Sequence, residues 1–162
     1  MMKKESVLVL GMGNILMADE GVGVRAVEYM EDKSLPSNVT LLDGGTGGFT
    51  LLPEIQNYDR VILIDATLDD NPPGTIRVIY PKFSADFPRA MTTHDIGLKD
   101  LIESASVLNQ LPPVTLIVVS IRDLQPMKME LSPEVAGVLP DVYRRVLDEI
   151  NKTPDTQSPA GK

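Results

Sequence analysis

The chain reads as an α/β protein: a twisted, mostly parallel β-sheet sandwiched in three layers between helices, with one antiparallel edge strand. Three observations predict this. Short runs that are apolar at every position recur along the chain, as strands buried on both faces require. Segments with helical apolar spacing alternate with them. The fourth strand has no crossover helix before it and so pairs antiparallel at an edge. At 162 residues the length suits one domain, with 43% hydrophobic and 23% charged residues giving an ordinary globular balance.

The elements follow in order. Val7–Leu10 is the first buried strand, ending in Gly11-x-Gly13. From about Gly21 to Lys33, Val22, Val24, Ala26, Val27 and Met30 carry the spacing of an amphipathic helix. Val39–Leu42 is the second strand, closed by the glycine-rich loop DGGTGG at 43–48, and a short helix spans Phe49–Gln56. Val61–Ile64 is the third strand, capped by Asp65, and a turn at Asn71–Gly74 leads into the fourth, Thr75–Tyr80. A loop over 81–96 precedes a helix at Ile96–Leu108, and Pro112-Pro113 introduces the strand Val114–Ser120. Ser132-Pro133-Glu134 signals a helix N-terminus, with proline at the first helical position, and that final helix runs to about Asn151. The domain is expected to span 1–151. The tail KTPDTQSPAGK, 152–162, lacks the apolar content to order itself.

Composition narrows the function. Twenty-three acidic against 15 basic residues give a net charge of −8, opposite to the footprint that nucleic acid or an anionic membrane demands. The absence of cysteine excludes disulfides, thiolate catalysis and zinc–sulfur sites. The apolar run behind the N-terminal lysines is too short for a secretory signal, so a cytoplasmic protein is expected. With no long apolar helix face left uncovered, a monomer is expected.

In parallel sheets, ligands gather at the carboxyl ends of the strands. Three ionisable groups follow three different strands: Glu20 after the glycine loop, Asp65 after the third strand, and His94, the sole histidine, in the loop after the fourth. Brought together, they form an oxygen and nitrogen ligand set without sulfur, suited to a divalent transition metal with open positions. Each also has a local explanation. Asp19 and Glu20 would be stabilised by the dipole of the helix they precede, Asp65 could bond the amides of the next loop, and His94 could be a solvated surface residue.

The glycine loop is not a nucleotide loop. A dinucleotide fingerprint needs a third glycine where Leu16 stands, and Asp19 and Glu20 would repel a phosphate. Its glycines are expected to let the chain turn sharply and leave room for something bulky, such as another polypeptide. The DGGTGG loop reads either as a flexible strand-to-helix turn or as a surface where Gly44, Gly45, Thr46 and Gly47 offer amides to an incoming peptide strand.

Taken together, GMGNILMADEGVGVRAVE at 11–28, LLDGGTGGFTLL at 41–52, VILIDAT at 61–67 and THDIGL at 93–98 closely resemble the nickel–iron hydrogenase maturation endopeptidases. The resemblance runs through about residues 6–150, in the order and spacing of that family. It implies an endopeptidase that removes the C-terminal extension of the hydrogenase large-subunit precursor after nickel insertion. The nickel would be carried by that precursor, and the family's metal-binding acid, second acid and histidine fall on Glu20, Asp65 and His94. How water attacks is left open between a carboxylate base, with Asp65 the candidate, and polarisation by the metal, so both aspartic-type and metallo-type mechanisms stand. Two other readings remain: a receiver-like signalling domain with Asp65 as phospho-acceptor, and a non-catalytic module that checks nickel loading. The first lacks the lysine such pockets use, since the strand at 114–119 ends in Ser-Ile-Arg-Asp.

Overall fold

A computed structural model describes residues 5–45, 51–81, 111–122 and 128–152. Five strands form one sheet: β1 (Val7–Met12), β2 (Val39–Gly45), β3 (Arg60–Leu68), β4 (Ile76–Ile79) and β5 (Val114–Ile121). Their order is β2-β1-β3-β5-β4. All neighbours run parallel except β4, which pairs antiparallel with β5 at the edge, as its missing crossover predicts. A 3-10 turn (Ala18–Gly21) leads into α1 (Val22–Met30), and the further helices among the described residues are α2 (Leu52–Ile55), α3 (Pro133–Ala136) and α4 (Leu139–Asn151).

Alternation along the strands sorts the side chains into two cores. Val7, Val9, Ile62, Ile64, Ala66, Ile117, Val119 and Ile121 pack beneath α1, α3 and α4. On the other face, Leu8, Leu10, Met12, Val61, Leu63, Leu116 and Val118 pack with Ile55, Leu51 and Leu52 around α2. The sheet therefore lies between helical layers, and the continuous apolar runs have their physical cause in burial on both faces.

Several boundaries differ from the sequence-based expectation. β3 does not stop at Ile64 but continues through Asp65 to Leu68, because β5 pairs with it along that whole length, up to Leu68↔Ile121. β2 extends into the glycine loop as far as Gly45. The first helix is preceded by tighter winding, and the last is two helices, α3 and α4, parted at Gly137-Val138. Ser132 does cap α3, accepting the Val135 N–H at 3.4 Å. The predicted helix at 96–108, the loop around His94 and the tail from 153 onward lie outside the described residues. Lys152, first residue of the predicted tail, is held in the fold: its ammonium donates to Glu149 Oε2 at 2.9 Å and to the Tyr80 hydroxyl at 2.8 Å.

That contact belongs to a polar cluster at the sheet end opposite the glycine loop. Arg60, 1% exposed, begins β3 and lies 3.7 Å from Glu149 of α4, which also accepts the Tyr80 hydroxyl at 2.7 Å. Burial pushes the Arg60 guanidinium below its ordinary pKa, and the charges of Glu5 and Glu149 oppose that shift.

A second cluster ties β3, β4 and β5 together. Asp69 Oδ2 accepts from the Ser120 hydroxyl and from the Arg77 guanidinium, each at 3.1 Å, and its other oxygen accepts the Asn71 N–H at 3.0 Å. Burial alone would push the Asp69 carboxyl up, but the bonds from Asn71 and Ser120 and the Arg77 charge outweigh it and hold the pKa below the ordinary value. The unfolded chain then binds the proton more readily than the folded one, so Asp69 stabilises the fold above about pH 4 and ceases to do so as pH falls through its folded pKa. Melting curves between pH 5 and pH 2 should show a steeper acid loss for the wild type than for Asp69→Asn. Parallel curves would refute this.

Candidate active site

The parallel strands end together on the side where β1 runs into Gly13. The registers Gly11↔Asp43 and Met12↔Gly45 leave Gly44 as an extra residue in β2, a bulge that turns the DGG segment across the sheet end. Gly13 N–H donates to the Gly45 carbonyl at 2.8 Å, so the two glycine loops are bonded to each other. Asp43 accepts the Gly45 N–H at 2.9 Å and fixes that turn from within, while Gly45 itself sits at φ +51°.

From Gly13 the chain folds tightly. Asn14 accepts from Leu16 and Met17, and the 16–18 segment then pairs with Lys128: Lys128 N–H donates to Leu16 and Ala18 N–H to Lys128. Ala18 is held at φ +50°, a left-handed backbone that costs a non-glycine residue about 1–3 kcal/mol and persists because this pairing imposes it. The 3-10 turn that follows packs against β3 and carries both acids of the motif.

The two acids differ in what they do. Asp19, 4% exposed, accepts the Ser132 N–H at 2.6 Å and so ties the turn to the start of α3. That bond explains Asp19 structurally. Glu20 is 0% exposed and lies before α1 begins at Val22. Asp65 is also 0% exposed, and its Oδ1 accepts the N–H of Ala66 at 2.8 Å. It sits inside β3, on the face of Val61 and Leu63, rather than capping the strand. Taking a carboxylate out of water costs several kcal/mol, and two such groups on elements that pack together make this sheet end the candidate site.

His94, Thr46 and Gly47 lie outside the described residues, so Glu20, Asp65, Gly44 and Gly45 are the predicted site residues that the structure places at this end. Among the described residues no three histidine, cysteine, aspartate or glutamate side chains form a metal-holding cluster.

A model of the family described as hydrogenase maturation protease matches residues 24–149. The chain belongs to the hydrogenase maturation protease family. It is 35% identical over 151 residues to the hydrogenase 2 maturation protease of Escherichia coli K12, covering 91% of this chain and 92% of that protein. The hydrogenase expression/formation protein HupD of Rhodobacter capsulatus is 42% identical over 141 residues, covering 83% of this chain and 66% of HupD. Among solved structures, the hydrogenase maturating endopeptidase HybD from E. coli superimposes with a TM-score of 0.80 at 36% identity, covering 89% of this chain and 91% of HybD. The fold, the family and an endopeptidase activity follow. A receiver-like signalling domain does not.

In this maturation protease the first glycine loop is not kept open for a polypeptide, contrary to the expectation from sequence. A Cβ at Gly13 would stand 2.1 Å from the Glu20 carbonyl oxygen, and one at Gly23 would stand 2.2 Å from that of Ile64 and 2.3 Å from that of Met12. The room is filled by the chain's own backbone, which lets the acid-bearing turn and α1 press onto β1 and β3. In the second loop, Gly44 is likewise filled by Met12 and Leu10, whereas a Cβ at Gly45 would meet only Asp43 Oδ1, at 3.8 Å. Of the two described glycines of this loop, Gly45 is therefore the one beside open space.

One residue at this sheet end stands inside a quoted motif, VILIDAT at 61–67, without having been given a role. Thr67 follows Asp65 by two positions on the same face of β3, pairs laterally with Ser120, and is 0% exposed. Its hydroxyl has no hydrogen-bond partner among the described residues. Such a group costs about 1–3 kcal/mol. The signal available in the sequence was the alternation: a hydroxyl residue where the strand's buried face continues.

Proposed function

We propose that this protease removes the C-terminal extension of the nickel–iron hydrogenase large-subunit precursor once nickel is in place, and that Glu20, Asp65 and His94 read the metal. The observation that carries the reading is the pair of fully buried carboxylates, Glu20 and Asp65, on packed elements at the ligand end of the sheet. The nickel is the precursor's cargo, held there by cysteines, and the protease adds oxygen and nitrogen ligands that complete its coordination. A metal bound from both sides fixes the scissile segment against the site, so cleavage waits on loading. With no cysteine in the chain, hydrolysis proceeds by attack of water, and Asp65 is the base we assign to it. The Gly44–Gly47 loop receives the substrate strand on the open side of Gly45, whose own N–H stays with Asp43. The protease acts as a monomer in the cytoplasm, and among its described residues no helix is long and apolar enough to cross a membrane.

Purified protein mixed with nickel-loaded and nickel-free precursor should shorten only the loaded form, seen on a gel and by intact mass. Glu20→Gln and His94→Ala should abolish that selectivity together with the cut. Equal cleavage of nickel-free precursor would refute the metal-reading role.

A further inference from the structure

Among the described residues, the Thr67 hydroxyl is a fully buried polar group of this sheet end that has neither a role in the proposed mechanism nor a hydrogen-bond partner. We propose that the Thr67 hydroxyl binds the substrate main chain and sets which peptide bond lies against Asp65. The inference rests on the proposed function and adds a residue to it.

Three observations carry it. Thr67 and Asp65 share one face of β3, and Thr67 stands nearer the strand's carboxyl end, where substrate arrives. Its oxygen is buried and makes no hydrogen bond among the described residues. The neighbouring Ser120 hydroxyl is already committed to Asp69 at 3.1 Å and does not serve it. A valine would fill the same volume with no polar atom to satisfy, so packing gives no reason for the hydroxyl. A partner that comes with the substrate does. Asp65, Glu20 and Thr67 are all fully buried, so a substrate that reaches the carboxylates has to enter the same enclosed sheet end as the hydroxyl.

The spacing fits a strand-like substrate. Residues two apart on an extended chain are separated by about 6.6–6.8 Å, on the enzyme strand and on a bound peptide alike. With the scissile bond opposite Asp65, the substrate peptide group two residues away therefore stands opposite Thr67. A hydroxyl can donate to its carbonyl or accept from its N–H. Slippage by one residue would present the wrong edge of the peptide to Thr67.

The test uses Thr67→Val and Thr67→Ser in the full chain, with nickel-loaded precursor as substrate, and measures melting temperature beside kcat and KM. For valine we expect a melting temperature raised by roughly 2 °C or more and kcat/KM lowered by about tenfold or more, with the loss in kcat. Serine, which keeps the hydroxyl, should restore cleavage to within about threefold of wild type. A valine variant that cleaves like wild type overturns the assignment. So does one that loses stability along with activity, or a serine variant that fails to restore cleavage, since either outcome makes the hydroxyl structural. If the wild type leaves loaded precursor uncut, the proposed function fails first and this assignment with it.

Discussion

Asp65→Asn is expected to leave the protein folded and to slow precursor cleavage by about a thousandfold. The amide matches the carboxylate in shape and keeps an oxygen to accept the Ala66 N–H, the 2.8 Å bond that holds the side chain in place. With shape and this bond kept, the variant should melt close to wild type. What is lost is a negative oxygen able to take a proton from water or to bind a cation. A rate within a fewfold of wild type, in a variant shown to be folded, would remove Asp65 from the chemistry and with it the central residue of the proposed site. Wild-type cleavage of nickel-loaded precursor measured in parallel supplies the reference.

Gly23→Ala should destabilise the fold by about 3 kcal/mol or more, at the upper end of what overpacking costs. Helix propensity predicts the opposite sign, since alanine inside a helix is favoured over glycine by about 1 kcal/mol. The contacts decide between them. The new methyl would press on carbonyl oxygens of Ile64 and Met12 at 2.2 and 2.3 Å, and both belong to the backbone of neighbouring central strands. Neither can give way without breaking the β1–β3 ladder. Thermal melting should show a fall of roughly 6 °C or more, and cleavage should fall with it, because the 3-10 turn bearing Glu20 is seated by the same approach. A melting temperature at or above wild type would show that α1 can lift off the sheet freely.

Much of this architecture was legible because its cause is local. Continuous apolar runs gave the parallel strands, and the missing crossover gave the antiparallel edge pairing of β4. Ser132 and Pro133 announced the start of α3 from their own chemistry. What escaped was decided by distant partners. Nothing near Asp65 says that β3 continues to Leu68; pairing with β5 does. The sequence shows a glycine at 23 but not that two strands abut it. The burial of Arg60 likewise depends on a distant partner, Glu149 of the last helix, 3.7 Å away.

The site divides in the same way. The motif drew attention to two adjacent acids, and only the fold separates them, giving Asp19 to the Ser132 N–H and leaving Glu20 in the buried turn beside β3. Helix-dipole reasoning treats both alike, and a bond spanning 113 residues of sequence cannot be inferred from spacing. Thr67 closes the motif VILIDAT but received no role, because the strand was expected to end before it.

The strand order β2-β1-β3-β5-β4 carries a consequence for synthesis. During translation β3 can dock beside β1 early, yet its other edge stays open until Val114–Ile121 has been made. At about 5–20 residues per second, that edge is exposed on the ribosome for seconds. An unpaired apolar strand in the middle of a future sheet is a template for wrong pairing with another nascent chain. The enzyme therefore acquires its native core only after β5, α3 and α4 have been made, and its yield in cells should depend on chaperones that shield half-made sheets.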